Sequence, residues 1–478
     1  MRIVLINPYN PRFETKTFPP IGLMYLSSYL KRSFPDIEVS LIDARLNRTS
    51  CSEVARVVAA IKPDVVGITA VVDNREVVHQ LAAQVRSLTK WVVVGGPYAT
   101  SMRQVILQDR NIDYLVLGEG EIPLSKLVRN LQNEAVQEPV DRVMSRNFPA
   151  GEVNLLADTV SALDDLPFPD FGLVRVADYF RFSSAMGTHA FRQTWPVASS
   201  RGCPYSCAFC HSHFGHKHRT RSVLRFVDEI ELLHRSHGVF HFDIFDDIFN
   251  ISEARVLDFC NELERRKLRI RFSFPNGLRL DRMTARSIDR MAECGLFAFG
   301  APIESASERI RKKMNKGLNM AKAEQIVRHA AMRNVVVSGF FIFGYPTETQ
   351  GEAQATIDLA CKLPFTLASF QKATPFPGTQ MFDELPPEKK SELMSFLSTA
   401  GPFTYSDSPN VSGMSDHALR KCYARAYLKF YLRPKVVFRL LYLLGPALVL
   451  RLGGVVLRRI TTLRSSTRFT QCKEAWTR

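Results

Sequence analysis

One rhythm organises the chain and is used twice: short apolar runs of strand length alternate with stretches that carry apolar residues at helical spacing. RIVLIN, IEVSLID, DVVGIT, WVVVGG and YLVLGEG come first, with helical patterns at 22–31, 52–61, 76–87 and 103–109 between them. Such βα repetition predicts an α/β fold, a doubly wound, Rossmann-like (flavodoxin-like) parallel sheet over residues 1–140. Ligands of that fold sit beyond the carboxyl ends of the strands. Here those ends carry Asn7-Pro8, Thr69-Ala70, Gly95-Gly96-Pro97 and Gly118-Glu119-Gly120-Glu121. Small residues there serve ordinary turns, and they also let a bulky ligand approach the backbone.

The rhythm breaks over 141–193, where LDDLPFPDF at 163–171 reads as a linker laid across a surface. It resumes at Thr194 with WPVASS, FHFDIF, RIRFSF, FAFGAPI, VVVSGFFIFG and TLASF. Six strands with helical crossovers predict a partial, TIM-like (β/α)6 barrel over 194–400, with its site at the C-terminal strand ends. Residues 401–478 read as a helical C-terminal region. Leu419, Cys422, Tyr423, Ala426, Tyr427, Phe430 and Tyr431 form a stripe at helix spacing that stops before Pro434, a pattern of helix packing. LLYLLGPALVL at 440–450 is uncharged, but Gly445-Pro446 interrupts it, so it is too short and broken to span a bilayer.

The net charge of +16 is concentrated at one end: from His417 onward there are fourteen Lys or Arg and a single acid, Glu474. That distribution argues against a chain coated with nucleic acid and for a basic tail with its own role. Arg433, Lys435, Arg439, Arg451, Arg458 and Arg459 flank the apolar runs, as expected of peripheral contact with anionic lipid or of solvated arginines beside leucines packed on the barrel. The first residues go directly into a strand and lack the pattern of a signal peptide. Of nine cysteines, six are scattered singly, which favours a reducing, cytoplasmic setting.

The other three are together. Cys203, Cys207 and Cys210 stand at C-x3-C-x2-C directly after the first barrel strand. Three thiolates cannot close a tetrahedral zinc site, but His211, His213, His216 or His218 could supply the fourth ligand. Three thiolates can also hold three corners of a 4Fe–4S cluster and leave one iron open. Phe209, just before the last cysteine, could cover a planar ring.

Cys203-Pro-Tyr-Ser-Cys207-Ala-Phe-Cys210 resembles the signature of radical S-adenosylmethionine (SAM) enzymes. The resemblance implies a 4Fe–4S cluster on the three cysteines, SAM chelated to the fourth iron, and a 5′-deoxyadenosyl radical that removes a substrate hydrogen. It extends to Phe245-Asp246-Asp247, which would meet the SAM amino group, and to Ala301-Pro302-Ile303-Glu304-Ser305, with Glu304 and Ser305 near SAM. Met314-Asn315-Lys316-Gly317 fits the same stretch. Phe343-Gly344-Tyr345-Pro346-Thr347-Glu348 resembles the element beside the adenine, which brings in Gly344 and Glu348, and Thr374-Pro375-Phe376-Pro377-Gly378-Thr379 resembles the closing element.

The first domain resembles the cobalamin-binding domain that precedes the barrel in one branch of this family. Pro19-Pro20-Ile21-Gly22-Leu23-Met24-Tyr25-Leu26, Asp64–Thr69, Val94-Gly95-Gly96-Pro97 and Gly118-Glu119-Gly120-Glu121 carry the likeness. It implies that Thr69, Gly95 and Gly96 meet the nucleotide tail, with Gly118 and Glu119 beside them. The D-x-H-x-x-G element of cobalamin mutases is absent, and the first histidine anywhere is His79, so no histidine of the first loop can ligate cobalt.

The expected function is therefore cobalamin-dependent radical SAM chemistry, most simply methyl transfer to an unactivated carbon of a small or lipid-like substrate. Ring formation or rearrangement without methyl transfer is the alternative within that class. A non-catalytic iron–sulfur sensing module is the alternative outside it. An external electron donor such as flavodoxin or ferredoxin is implied; the substrate-contacting catalytic residues are not legible.

Overall fold

A computed structural model describes residues 1–11, 17–133, 139–146, 159–182, 185–186, 193–211, 213–398 and 408–444. The first sheet has strands β1 (Arg2–Asn7), β2 (Glu38–Asp43), β3 (Val65–Thr69), β4 (Trp91–Gly95), β5 (Tyr114–Val116) and β6 (Val143–Met144). Their spatial order is β2-β1-β3-β4-β5-β6. β1 to β5 are parallel, and β6 adds antiparallel to β5. The strand order reverses between β1 and β3, which opens a crevice beyond their carboxyl ends. The helices between strands match the sequence pattern to within a few residues. Helix Cys51–Ile61, for instance, starts where the Ser50 hydroxyl accepts from the Glu53 N–H and the Glu53 carboxylate accepts from the Ser50 N–H.

After the linker come β7 (Thr194–Val197), the short pair β8 (Ser200–Arg201) and β9 (Arg219–Thr220), then β10 (His241–Ile244), β11 (Arg271–Phe274), β12 (Leu296–Glu304), β13 (Val336–Phe343) and β14 (Leu367–Lys372). The large strands lie in the order β14-β13-β12-β11-β10-β7, all parallel, so each crossover reaches its immediate neighbour. β7 and β14 do not pair, so this is the expected partial barrel. Phe242, Ile244, Phe272, Phe274, Phe341 and Phe343 pack outward under the helices in its main core.

Two cross-connections make the domains interdependent. The linker is stitched to helix Ile21–Ser33: Ser28 Oγ donates to Phe168 O at 2.6 Å, and Asp170 Oδ2 accepts from Ser27 Oγ at 2.8 Å and Lys31 Nζ at 2.7 Å. That helix sends Met24 into the barrel's core cluster. In the other direction, helix Pro387–Ser398 puts Leu393 and Leu397 into the core of the first sheet. Residues 387–398 fall within the 194–400 span expected for the barrel, but Leu393 and Leu397 pack on the other domain.

Helix Asp416–Tyr431 buries the predicted stripe on the barrel. Leu419, Cys422, Tyr423, Ala426, Tyr427 and Phe430 join the main core, and the Tyr431 hydroxyl donates to Ala368 O at 2.8 Å. Helix Pro434–Leu444 follows. The rest of the 440–450 run and Arg451, Arg458 and Arg459 lie outside the described residues.

Candidate active site

The cysteine loop leaves the barrel at β8 and returns at β9, which pair antiparallel through Ser200↔Thr220 and Arg201↔Arg219. Gly202 opens the loop at φ 84°, and a Cβ there would lie 2.4 Å from Lys217 O, so this turn requires glycine. The loop is pinned at several points. The Cys203 N–H donates to Gly215 O at 3.2 Å, the Ala208 N–H to Met314 O at 2.9 Å, and Asn315 Nδ2 to Ser206 O at 2.9 Å. All three cysteines are free thiols. Partial desolvation, followed by the neighbouring Cys207 and Cys203, raises the pKa of the Cys210 thiol, which keeps exposed surface, and desolvation also raises that of Cys203. Thiols crowded in this way become thiolates when iron draws on them, which is the donor chemistry a cluster needs.

Three of the four histidines behind the loop each use one ring nitrogen in a hydrogen bond, which leaves the other nitrogen of each ring available to a metal. His216 Nδ1 donates to Cys203 O and Tyr205 O at 3.2 and 3.1 Å, and His218 Nε2 to Ile248 O at 3.2 Å. His211 Nε2 lies 3.2 Å from Ser101 Oγ of the first domain.

The predicted SAM residues converge around this loop, with different duties. Glu304 ends β12 at φ 67°, beside a register shift in the β12–β13 ladder, and its Oε1 accepts from Lys316 Nζ at 2.9 Å. Burial opposes the charge on Lys316, but Glu304 and Cys207 outweigh it and its pKa is raised. The ammonium therefore stays charged beside the loop, 5.8 Å from the Phe209 ring centroid. Asp247 Oδ2 accepts from the Gly202 N–H at 3.0 Å at the mouth of the loop. Asp246 is instead tied into the strand end, accepting from Ser199 N, Ser199 Oγ and Ser200 Oγ at 2.6, 2.6 and 2.7 Å. Ser305 is buried and braces the next helix, accepting from the Ser307 N–H at 3.2 Å. Lys316 was quoted in the sequence without a role; its pairing with Glu304 across twelve residues is visible only in the fold.

Glu348 closes the turn after β13. Its Oε2 accepts from the Gly344 N–H at 2.6 Å, its Oε1 is buried without a hydrogen-bond partner, and burial raises its pKa from 4.5 to about 7. A carboxyl that holds its proton longer in the folded chain favours folding below about pH 4.5 and loses that contribution as pH rises toward 7. Glu348→Gln is expected to gain stability over the parent between about pH 5 and pH 8, by up to about 3 kcal/mol. Urea denaturation at both pH values measures this, and an equal difference at both would refute it.

In the first domain, a cavity of about 530 Å³ opens beyond the carboxyl ends of β1, β3, β4 and β5. Its floor is apolar, formed by Leu5, Gly67, Val93, Val116 and Leu124, and Asn7, Thr69, Asn74 and Thr100 stand at its polar rim. Thr69, Gly95, Gly96, Gly118 and Glu119, all expected at a cobalamin site, line it. At Gly96, with φ 99°, a Cβ would lie 2.8 Å from Ala70 O, so the backbone here is held bare for a close approach. Arg201, His213 and Phe214 of the cysteine loop also line the cavity. His79 pairs with Asp109 at 2.6 Å and is not part of this wall. The imidazole that is, His213, comes from the other domain, which the sequence did not suggest. Desolvation and then the neighbouring His211 lower its pKa, although the residue keeps exposed surface.

A doubly wound domain with a crevice at its strand ends is joined to a partial barrel with three thiols at its mouth. Comparison with known proteins specifies the class. The B12 binding domain family matches residues 15–128, and the radical SAM superfamily matches residues 197–360. The chain is 28% identical over 454 residues to an uncharacterized methyltransferase of Pyrococcus horikoshii, covering 92% of this chain and 94% of the relative. It is 27% identical to cytidylyl-2-hydroxyethylphosphonate methyltransferase of Streptomyces wedmorensis, covering 80% and 81%. It is also 27% identical to the anaerobic magnesium-protoporphyrin IX monomethyl ester cyclase of Cereibacter sphaeroides, covering 80% and 64%. Among solved structures, the radical SAM methyltransferase TsrM from Kitasatospora setae, with cobalamin and a [4Fe-4S] cluster bound, superposes with TM-score 0.66 at 20% identity, covering 80% and 76%. The chain belongs to the radical SAM superfamily and carries a B12-binding domain ahead of the radical SAM domain.

Proposed function

We propose that this chain is a cobalamin-dependent radical SAM methyltransferase acting on an unactivated carbon of a small or lipid-like substrate. The observation that carries the proposal is the shared wall: Arg201, His213 and Phe214 of the cysteine loop line the cavity at the carboxyl ends of the first sheet. Groups held in the two sites would therefore face one another across a single interface. When bound, the cluster supplies the electron that cleaves SAM to a 5′-deoxyadenosyl radical, and the corrinoid supplies the methyl group. Cys203, Cys207 and Cys210 would hold three irons. Lys316, kept charged by Glu304, would receive the SAM carboxylate, and Asp247 its amino group. The 344–348 turn would flank the adenine, and Phe209 would cover one face of the site. Electrons would come from an external donor such as flavodoxin or ferredoxin.

The reaction class is read by incubating anaerobically reconstituted protein with SAM, a reductant and candidate substrates. Methyl transfer yields S-adenosylhomocysteine together with 5′-deoxyadenosine. The cyclase relative supports the second reading, ring formation, which yields 5′-deoxyadenosine alone. Neither product would overturn both.

Among the described residues no helix is long and apolar enough to cross a membrane. We propose a narrower peripheral contact than the sequence suggested. Helix Asp416–Tyr431 spends its apolar stripe on the barrel, while Arg433 donates to Cys361 O and Arg439 to Ala331 O. Leu432, Phe438 and Tyr442, 72%, 70% and 82% exposed, remain outward beside Lys435. Exposed apolar residues with adjacent basic charge suit an anionic lipid surface. The full-length protein is expected to co-sediment with anionic vesicles at low salt, and Leu432→Ser/Phe438→Ser/Tyr442→Ser to stay in the supernatant. Equal partitioning of the two would refute the contact.

A further inference from the structure

The neck of the cysteine loop has an electrostatic problem that it cannot solve with its own residues. β8 and β9 form a ladder of two residue pairs, one of which is Arg201 opposite Arg219. Like charges directly opposite on adjacent strands destabilise the pairing, and so short a ladder has little else to hold it. Both guanidiniums are largely out of water, at 13% and 5% side-chain exposure, so solvent screens their repulsion poorly. This neck encloses all three cysteines.

The counter-charge comes from the first domain. Glu119 lies between the two arginines: Oε2 accepts from Arg201 Nη1 at 2.7 Å and from Arg219 Nη1 at 3.2 Å, and Oε1 pairs with Arg219 Nη2. Glu121 accepts from Arg201 Nη2 at 2.7 Å. Two carboxylates thus balance two guanidiniums. Arg219 Nη1 also donates to Val160 O at 2.6 Å, and the Arg201 guanidinium lies 5.4 and 5.7 Å from the Phe214 and Tyr25 ring centroids. Burial opposes the charge of Arg201, but Glu121 and Glu119 outweigh it and its pKa is raised. Glu119, Glu121 and Arg201 also line the cavity of the first domain.

We infer that Glu119 is a positioning residue: it closes the neck of the cysteine loop by neutralising the Arg201–Arg219 pair, and so couples occupancy of the corrinoid cavity to retention of the cluster. The inference rests on the proposed function for the identity of the two groups. An occupant of the cavity packs against the residues that hold the neck shut, so it stabilises the loop, and by reciprocity an intact loop strengthens its binding.

The test follows iron loss from reconstituted full-length protein to a ferrous chelator, with and without hydroxocobalamin, after absorbance spectra have established loading. Cobalamin is expected to slow iron loss from the parent roughly fivefold or more. Glu119→Gln is expected to lose iron faster and to gain no protection from cobalamin. Glu119→Gln/Arg219→Met, which removes the repelling charge as well, is expected to recover iron retention; an acid with a purely packing role would give no such rescue. Arg219→Met alone is expected to retain iron as the parent does. Parent-like iron loss in Glu119→Gln, or failure of the double variant to recover, would overturn the charge account. Cobalamin that binds the parent without slowing iron loss would overturn the coupling. Cobalamin that does not bind the parent at all would overturn the functional reading instead, while the chelator series without cobalamin still decides the role of Glu119.

Discussion

Alanine at Cys203, Cys207 or Cys210 is expected to abolish the brown 4Fe–4S absorbance and SAM cleavage together, with at least a thousandfold loss of 5′-deoxyadenosine formation, about 4 kcal/mol of lost transition-state stabilisation. A cubane held by three thiolates has one open iron for SAM; with two it has no defined open corner, and the loop holds no further cysteine. His216 and His218 each donate one ring nitrogen to a backbone carbonyl and His211 lies against Ser101, and an imidazole in place of a thiolate would change the charge and potential of the cluster. The fold is expected to survive each substitution. The loop is held by the backbone N–H groups of Cys203 and Ala208 and by the side-chain amide of Asn315, and the barrel core does not draw on the cysteine side chains. Circular dichroism and iron analysis separate the outcomes. A single variant that keeps full iron content and cleaves SAM would refute the assignment of that cysteine.

The strands and most helices of both domains were legible because each is a run long enough to carry a period. β6, β8 and β9 have two residues each and carry none, so nothing in the sequence announced them. The same limit applied to charge. Gly118-Glu119-Gly120-Glu121 was legible as a ligand-facing loop from its place at a strand end, and it does line the cavity. The partners that occupy its carboxylates lie 82 and 100 residues further along, and no local spacing links them. Asp246 and Asp247 were equivalent in sequence, and only the fold shows one bound to Ser199 and Ser200 and the other at the loop mouth. Leu393 and Leu397 of helix Pro387–Ser398 pack on the first domain, and no spacing in the sequence pointed to that recipient.

Gly67→Val is expected to separate the two cofactors, weakening cobalamin binding at least a hundredfold, about 2.7 kcal/mol, while SAM cleavage by the cluster persists. Gly67 sits inside β3, paired with Leu5 on one side and Val93 on the other, and lines the apolar floor of the cavity. A glycine inside a buried strand weakens it and commonly marks a place where something approaches the backbone closely. Its φ is not in the left-handed region, so a β-branched residue brings no backbone strain and suits the strand. The nearest obstacle to an added Cβ is Leu5 Cδ2 at 2.9 Å, the end of a side chain that can turn aside into the same cavity. Both the new methyl groups and the displaced leucine would then occupy space proposed for the nucleotide tail. In the product assay, S-adenosylhomocysteine should fall with cobalamin content while 5′-deoxyadenosine remains. Undiminished cobalamin binding in Gly67→Val would mean that the floor of this cavity is not where the tail lies. Joint loss of both products in a well-folded, iron-replete variant would mean that SAM cleavage depends on the corrinoid and not on the cluster loop alone.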